Sequence, residues 1–233
     1  MGETWLLPTH IDALRNYEIC LKRMNGRLEN VGRVISRYHR GSVITGRRAL
    51  DAELCALQLR YSIELYLYGV SYLFYVFEFS LPKKIATKER RGKEIIRAFQ
   101  KKGISALPVS ILRWTDNRGT HMQVHDPQPL LLEDLMIILN GSIEKMLHAK
   151  WEDYTKEAGP EIFETLQSLY DKVRFHFDDH RILFRHRGVE CEIRARIGLD
   201  TYARLYAPHL RVGRHTLLEA AGVELDAPIL SAP

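Results

Sequence analysis

The chain has 233 residues, of which 45% are hydrophobic and 27% charged, enough apolar content for a core and too much for a wholly disordered protein. Its formal net charge of +5 is compatible with an anionic partner without requiring one. The three cysteines, Cys20, Cys55 and Cys191, are far apart and form no CxxC pair, so zinc and redox couples are not indicated and a reducing, cytoplasmic setting is expected. The opening MGETWLLPTH lacks the basic and apolar regions of a signal peptide, and Leu6 stands where a myristoylation signal has Ser or Thr.

Apolar residues recur at helical spacing from Pro8 to about Arg37, with Thr9 as the expected N-cap and Gly26 and Gly32 as points of weakness. Residues 37–48 read as a basic loop. A second helix is expected from about Arg47 to Phe79, closed by Leu81-Pro82. Its uncharged run, from Glu64 to Glu78, is 13 residues, short of the roughly 18 that a membrane span needs. Extending it would place Arg60 and Glu64 in lipid at about 2.5 to 3.5 kcal/mol for a central charge, so no membrane partner is expected. The segment reads instead as a long apolar helix at the centre of a bundle.

A third helix, within KERRGKEIIRAFQKKG, is strongly basic: residues 83–102 hold nine Lys or Arg against two Glu, a net of +7. Residues 126–170 compensate, with nine acidic residues against three Lys, a net of −6. Between them, residues 109–126 read as a β-hairpin turning at Asp116-Asn117-Arg118-Gly119. Helical periodicity resumes from Leu130, and Gly159-Pro160 opens a further amphipathic helix with Ile162, Leu166, Leu169 and Val173 on one face. A second hairpin is expected over residues 181–198. There Cys191, Ile193, Ala195 and Ile197 alternate with Glu190, Glu192, Arg194 and Arg196, so one face should be buried and the other solvated. A short helix near Arg214 to Ala221 and a flexible tail over 226–233 complete the reading. The expected fold is α+β and mainly α: one compact domain over 1–225, helical over about 8–105 and 130–177, with two small hairpins.

Within the second helix, Glu53, Leu57, Arg60 and Glu64 step by four, three and four residues and share one face. Charges in so apolar a segment should pair, either as a part-buried structural network or as the lining of a pocket. The stretch EL-CALQLRYSIEL and the later MLHA at 146–149 resemble an uncharacterised bacterial family with an E-x-x-A-L-Q-x-R-x-x-x-E-L helix and a later L-H pair. More distantly they resemble HEPN-like helical proteins, over residues 47–80 and 130–150. That resemblance implies a bundle in which Arg60, Glu64 and His148 share a pocket, and a metal-independent ribonuclease of a bacterial defence or toxin–antitoxin system. It implies no cofactor. HEPN nucleases carry an Arg a few residues before a His, and two such pairs have five intervening residues, Arg33 with His39 and Arg174 with His180. Arg174 and His180 are the preferred catalytic pair, His180 as general acid or base and Arg174 stabilising charge on a phosphate. Val34 and Phe175 stand where the family has a polar residue. A solvated helix end whose Arg and His complement the macrodipole is the structural alternative.

No metal site is expected. His176 and His180 have helical i,i+4 spacing, but Arg174 and Arg181 beside them would repel a cation. No Walker, GxGxxG or GxSxG motif is present. Lys83, Lys84, Lys88, Arg90, Arg91, Lys93 and Arg97 of the basic segment, with the 37–48 loop and the Arg181 to Arg196 hairpin, could bind phosphates. The leading expectation is therefore an RNA-binding or RNA-cleaving protein. The alternative is a noncatalytic module that docks a protein partner through its basic helix or its acidic region; a homodimer is a further partner expectation.

Overall fold

The fold is taken from a computed structural model, which describes residues 7–77, 92–140, 160–186 and 189–206. Among these the protein is mostly helical, with five helices and one five-stranded antiparallel sheet. Helix α1 spans Pro8–His39 and α2 spans Arg48–Phe77. Three further helices follow: α3 (Gly92–Lys101), α4 (Leu132–Asn140) and α5 (Pro160–Asp178). The strands are β1 (Val109–Asp116), β2 (Gly119–Val124), β3 (Asp179–His186), β4 (Val189–Arg196) and β5 (Tyr202–Tyr206).

Helix α1 is amphipathic as its periodicity dictates: Leu14, Tyr17, Leu21, Met24, Leu28, Val31 and Ile35 are all buried along one stripe. It begins two residues earlier than Thr9 suggests. Leu7 is the N-cap, Pro8 takes the first helical position, where a missing N–H costs nothing, and the Leu7 N–H donates to His10 Nδ1 at 2.8 Å. The α1–α2 turn carries Gly41 and Gly46 at positive φ. The buried Asp51 carboxylate closes it, accepting from the Ile44 and Thr45 amides at 2.8 and 2.9 Å and from the Thr45 hydroxyl at 2.8 Å.

The two long helices run antiparallel, and Gly69 lets them approach: a Cβ there would lie 3.0 Å from the Tyr17 ring and 3.1 Å from Cys20 Cβ. Helix α5 lies antiparallel to α1 as a third rod. Its Phe163 stacks on Tyr38 with centroids 3.8 Å apart, and Tyr170 covers Gly32. Gly32 thus seats a neighbour, and α1 continues through it. Helices α3 and α4 pack on α2, with Phe99 edge-on to Phe74 and Gly92 between Leu67 and Leu139.

A long apolar helix at the centre is not what forms. The first half of α2 carries Glu53, Arg60, Tyr61 and Glu64 on its partly exposed side, and the core lies between α1, α2, α5 and the sheet. Nor do the hairpins stand apart. Val109 pairs with Arg181 and Ser110 with His180, joining both into a sheet of order β2-β1-β3-β4-β5. The edge strand β5 extends the second hairpin. Its alternation, Ala203 and Leu205 inward with Tyr202, Arg204 and Tyr206 outward, matches that of β4. The sheet lays His180, Ile182, Phe184, Cys191, Ile193 and Ala195 on the helices, where Phe184 meets Phe77 at 4.9 Å. Among the described residues no helix is long and apolar enough to cross a membrane. The closing Leu81-Pro82, the 214–221 helix and the 226–233 tail lie outside the described residues.

Candidate nucleic-acid interface

Helix α5 passes into β3 without a loop, so Asp178 ends the helix and Asp179 begins the strand. His180 is therefore a strand residue on the inner face, fully buried, rather than a solvated helix end. Its Nδ1–H donates to the Phe177 carbonyl at 3.1 Å, because a carbonyl can only accept. Nε2 is then the acceptor for the Tyr17 hydroxyl, 2.8 Å away. Burial pushes the His180 pKa down to about 3, against the opposing pull of the Phe177 carbonyl, so the ring is neutral at physiological pH.

Arg174 does not join it. Its guanidinium donates to Asn25 Oδ1, eight residues along α1 from Tyr17 and about 12 Å along the helix axis. The expected catalytic pair thus rests on two separate points of α1, with the imidazole enclosed and both its nitrogens engaged. His176 is also buried, donating from Nε2 to the Pro108 carbonyl at 3.2 Å, and burial holds its pKa down to about 4. His176 and His180 therefore serve different partners. Among the described residues no group of three or more His, Cys, Asp or Glu is arranged to hold a metal.

Arg60 and Glu64 do pair, Nε to Oε1 at 3.2 Å, each about a quarter exposed or less. A small cavity between α2 and the sheet is lined by Leu73, Phe74, Phe77, Ile182, Phe184 and Ile193, and neither charged residue reaches it. His148 lies outside the described residues, as do Lys83, Lys84, Lys88, Arg90 and Arg91. Lys93 and Arg97 lie on α3, which packs on α2 and α4. Part of the acidic region is used internally: Asp134 takes Lys172 Nζ at 2.7 Å and the Leu131 amide at 2.9 Å.

The sheet's outer face brings charge together instead. Strand alternation and register place Arg113, Arg181, Arg185, Arg194, Arg196 and Arg204 on that face, against Asp179, Glu190 and Glu192. Six guanidinium groups there oppose three carboxylates. Arg113 grips Asp179 with both ends, Nε to Oδ2 at 2.9 Å and Nη2 to Oδ1 at 3.1 Å. Burial raises the Asp179 pKa, and Arg113, Arg196 and Arg194 pull the other way. Glu192 serves Arg194 at 3.2 Å and Arg181 at 3.9 Å.

Two arginines lie over tyrosines, Arg194 above Tyr206 at 4.3 Å and Arg204 above Tyr202 at 4.8 Å. Leu183 stands opposite Glu192 in the same face, more than half exposed. The sequence marks the Arg181 to Arg196 part of this surface. The tyrosines of β5 and Arg113 of β1 join it through pairings that the hairpin reading omits. No family model, characterised protein or solved structure matches the chain.

Proposed function

We propose that this protein binds RNA through the outer face of its sheet. The observation that carries the reading is the excess of arginine over carboxylate on one face of the sheet, interleaved with tyrosine rings and an exposed leucine. Guanidinium groups bind phosphates, and guanidinium planes, aromatic rings and apolar side chains stack with unpaired bases. Such a surface suits single strands, whose bases are free to lie on it. A place in a bacterial cytoplasmic defence or toxin–antitoxin system belongs to the same proposal and rests on the HEPN resemblance alone.

The proposal is one of binding rather than cleavage, because an acid–base role for His180 would require opening the core around it. The test is fluorescence anisotropy with a labelled single-stranded RNA. Affinity should fall as salt rises, and an Arg194→Ala/Arg204→Ala variant should bind more weakly and lessen the salt slope by about 1.4, at about 0.7 per phosphate contact on single strands. Affinity that is indifferent to both salt and the substitutions would sink the reading. EDTA-resistant RNA cleavage lost in both Arg174→Ala and His180→Ala, with the fold intact, would replace it by the nuclease reading.

A further inference from the structure

We infer that the β1–β2 hairpin is a dimerisation arm, in which β2 of one copy pairs antiparallel with β2 of a second copy of this chain about a two-fold axis. Only Val109 and Ser110 of β1 pair with β3; Ile111 to Asp116 pair with β2 alone. Ile111 is buried and Arg113 still reaches Asp179, so the hairpin extends past the body as a two-stranded ribbon from Trp114 to Thr120, a form that is marginal by itself in water. It also leaves large apolar groups in solvent: Leu112 is 44% exposed, Trp114 41% and Val124 38%. Trp114 is covered on one side by His121, stacked at 5.2 Å.

The edge itself argues for a second copy. Edge strands are normally guarded by charge, proline or a bulge. Strand β2, GTHMQV, has no Asp, Glu, Lys, Arg or Pro, and pairs with β1 in unbroken register. Each other strand carries at least one charged residue, including the opposite edge β5 with Arg204. In a chain of net charge +5, a self-association surface is best made where like charges do not meet. Strand β2 provides that.

Geometry fixes the result. Opposed residues in an antiparallel pair share a face, so the two-fold must lie between a residue and its own copy, and the registers that pair most of β2 set His121 against its own copy or Met122 against its own copy. The axis is perpendicular to the sheet, which keeps both arginine faces on one side. Two five-stranded sheets become one of ten strands, and the second copy lengthens the surface that the RNA reading uses. The pairing itself does not depend on RNA.

The experiment is sedimentation equilibrium on the full chain at high micromolar concentration. The expected mass is twice that of the monomer, falling to one monomer in Thr120→Lys/Val124→Lys with an unchanged circular dichroism spectrum. In parallel, Met122→Cys and His121→Cys are oxidised separately. The native cysteines are buried, and one of the two variants should give a covalent dimer. A monomeric wild type, a dimer that persists in the folded lysine variant, or failure of both cysteines to cross-link would overturn the inference. If the lysine variant does not fold, the cysteine pair decides. Anisotropy on the same samples separates the readings: a monomeric lysine variant that still binds RNA leaves the binding proposal standing, and a dimer that binds none removes that proposal alone.

Discussion

The junction of α5 with β3 and the β1–β2 arm use histidine in opposite ways. At the junction, His180 is enclosed by Phe177 and Tyr17 and bridges two elements of the core with both ring nitrogens. In the arm, His121 lies at the surface, stacked on Trp114, with Nε2 2.9 Å from Asp116 Oδ1; that hydrogen bond holds the Asp116 carboxyl below its ordinary range. The difference lies in the surroundings rather than in the residue. A packed apolar shell turns an imidazole into a neutral strut, whereas a solvated ribbon leaves it as a lid over a ring.

The comparison breaks most severely at Phe177, which is fully buried and packs edge-on to Tyr66 at 4.6 Å. Phe177→Ala should cost about 3 to 5 kcal/mol in a urea titration. Acid should act next. With His180 held down to about 3 and His176 to about 4, both stay neutral when folded, while the unfolded chain takes up protons near 6.5. Their contribution is complete above pH 6.5 and is lost as pH falls, by about 2 kcal/mol for each histidine between pH 6.5 and 5. A urea midpoint that stays flat across that interval would show that the two rings are not enclosed.

Tyr17→Phe should cost about 1 to 3 kcal/mol, because it leaves the buried Nε2 of His180 without its donor while the rings keep their packing. A neutral result there would mean that the hydroxyl does not hold the imidazole. The smallest effect belongs to the outer surface. Arg185 and Glu190 pair at 3.1 Å with about three-quarters of each side chain exposed, and Arg185→Ala should shift stability by less than about 0.5 kcal/mol.

Local signals carried most elements. Asp116 to Gly119 marks the first turn, and the β4 alternation survives as Cys191, Ile193 and Ala195 inside against Glu192, Arg194 and Arg196 outside. What escaped was junctions and long-range pairing. The sequence reading ends the helix at about 177 and starts the strand at about 181, yet the chain goes from helix to strand at Asp178-Asp179 without a loop, which moves His180 from a solvated helix end to the core. The Ser110–His180 pairing that joins the hairpins has no sequence signature, because register between distant strands is set by tertiary packing. β5 was legible in principle from the alternation of YARLY, although its five residues are few. The Arg60–Glu64 pairing followed from i,i+4 spacing, which says nothing of what faces it.

The Asp51 clasp at the α1–α2 turn has a kinetic consequence. Only eight residues separate the two long helices, so their meeting costs little loop entropy, whereas β1 must find β3 across 70 residues, from Ser110 to His180. The helical hairpin should therefore organise in the folding transition state, with the sheet closing afterwards. Leu59→Ala, in the helix interface, should slow folding, and Ile193→Val, in the sheet, should chiefly speed unfolding in stopped-flow chevrons. The clasp would then act before the native state exists, by holding together the template on which the sheet assembles.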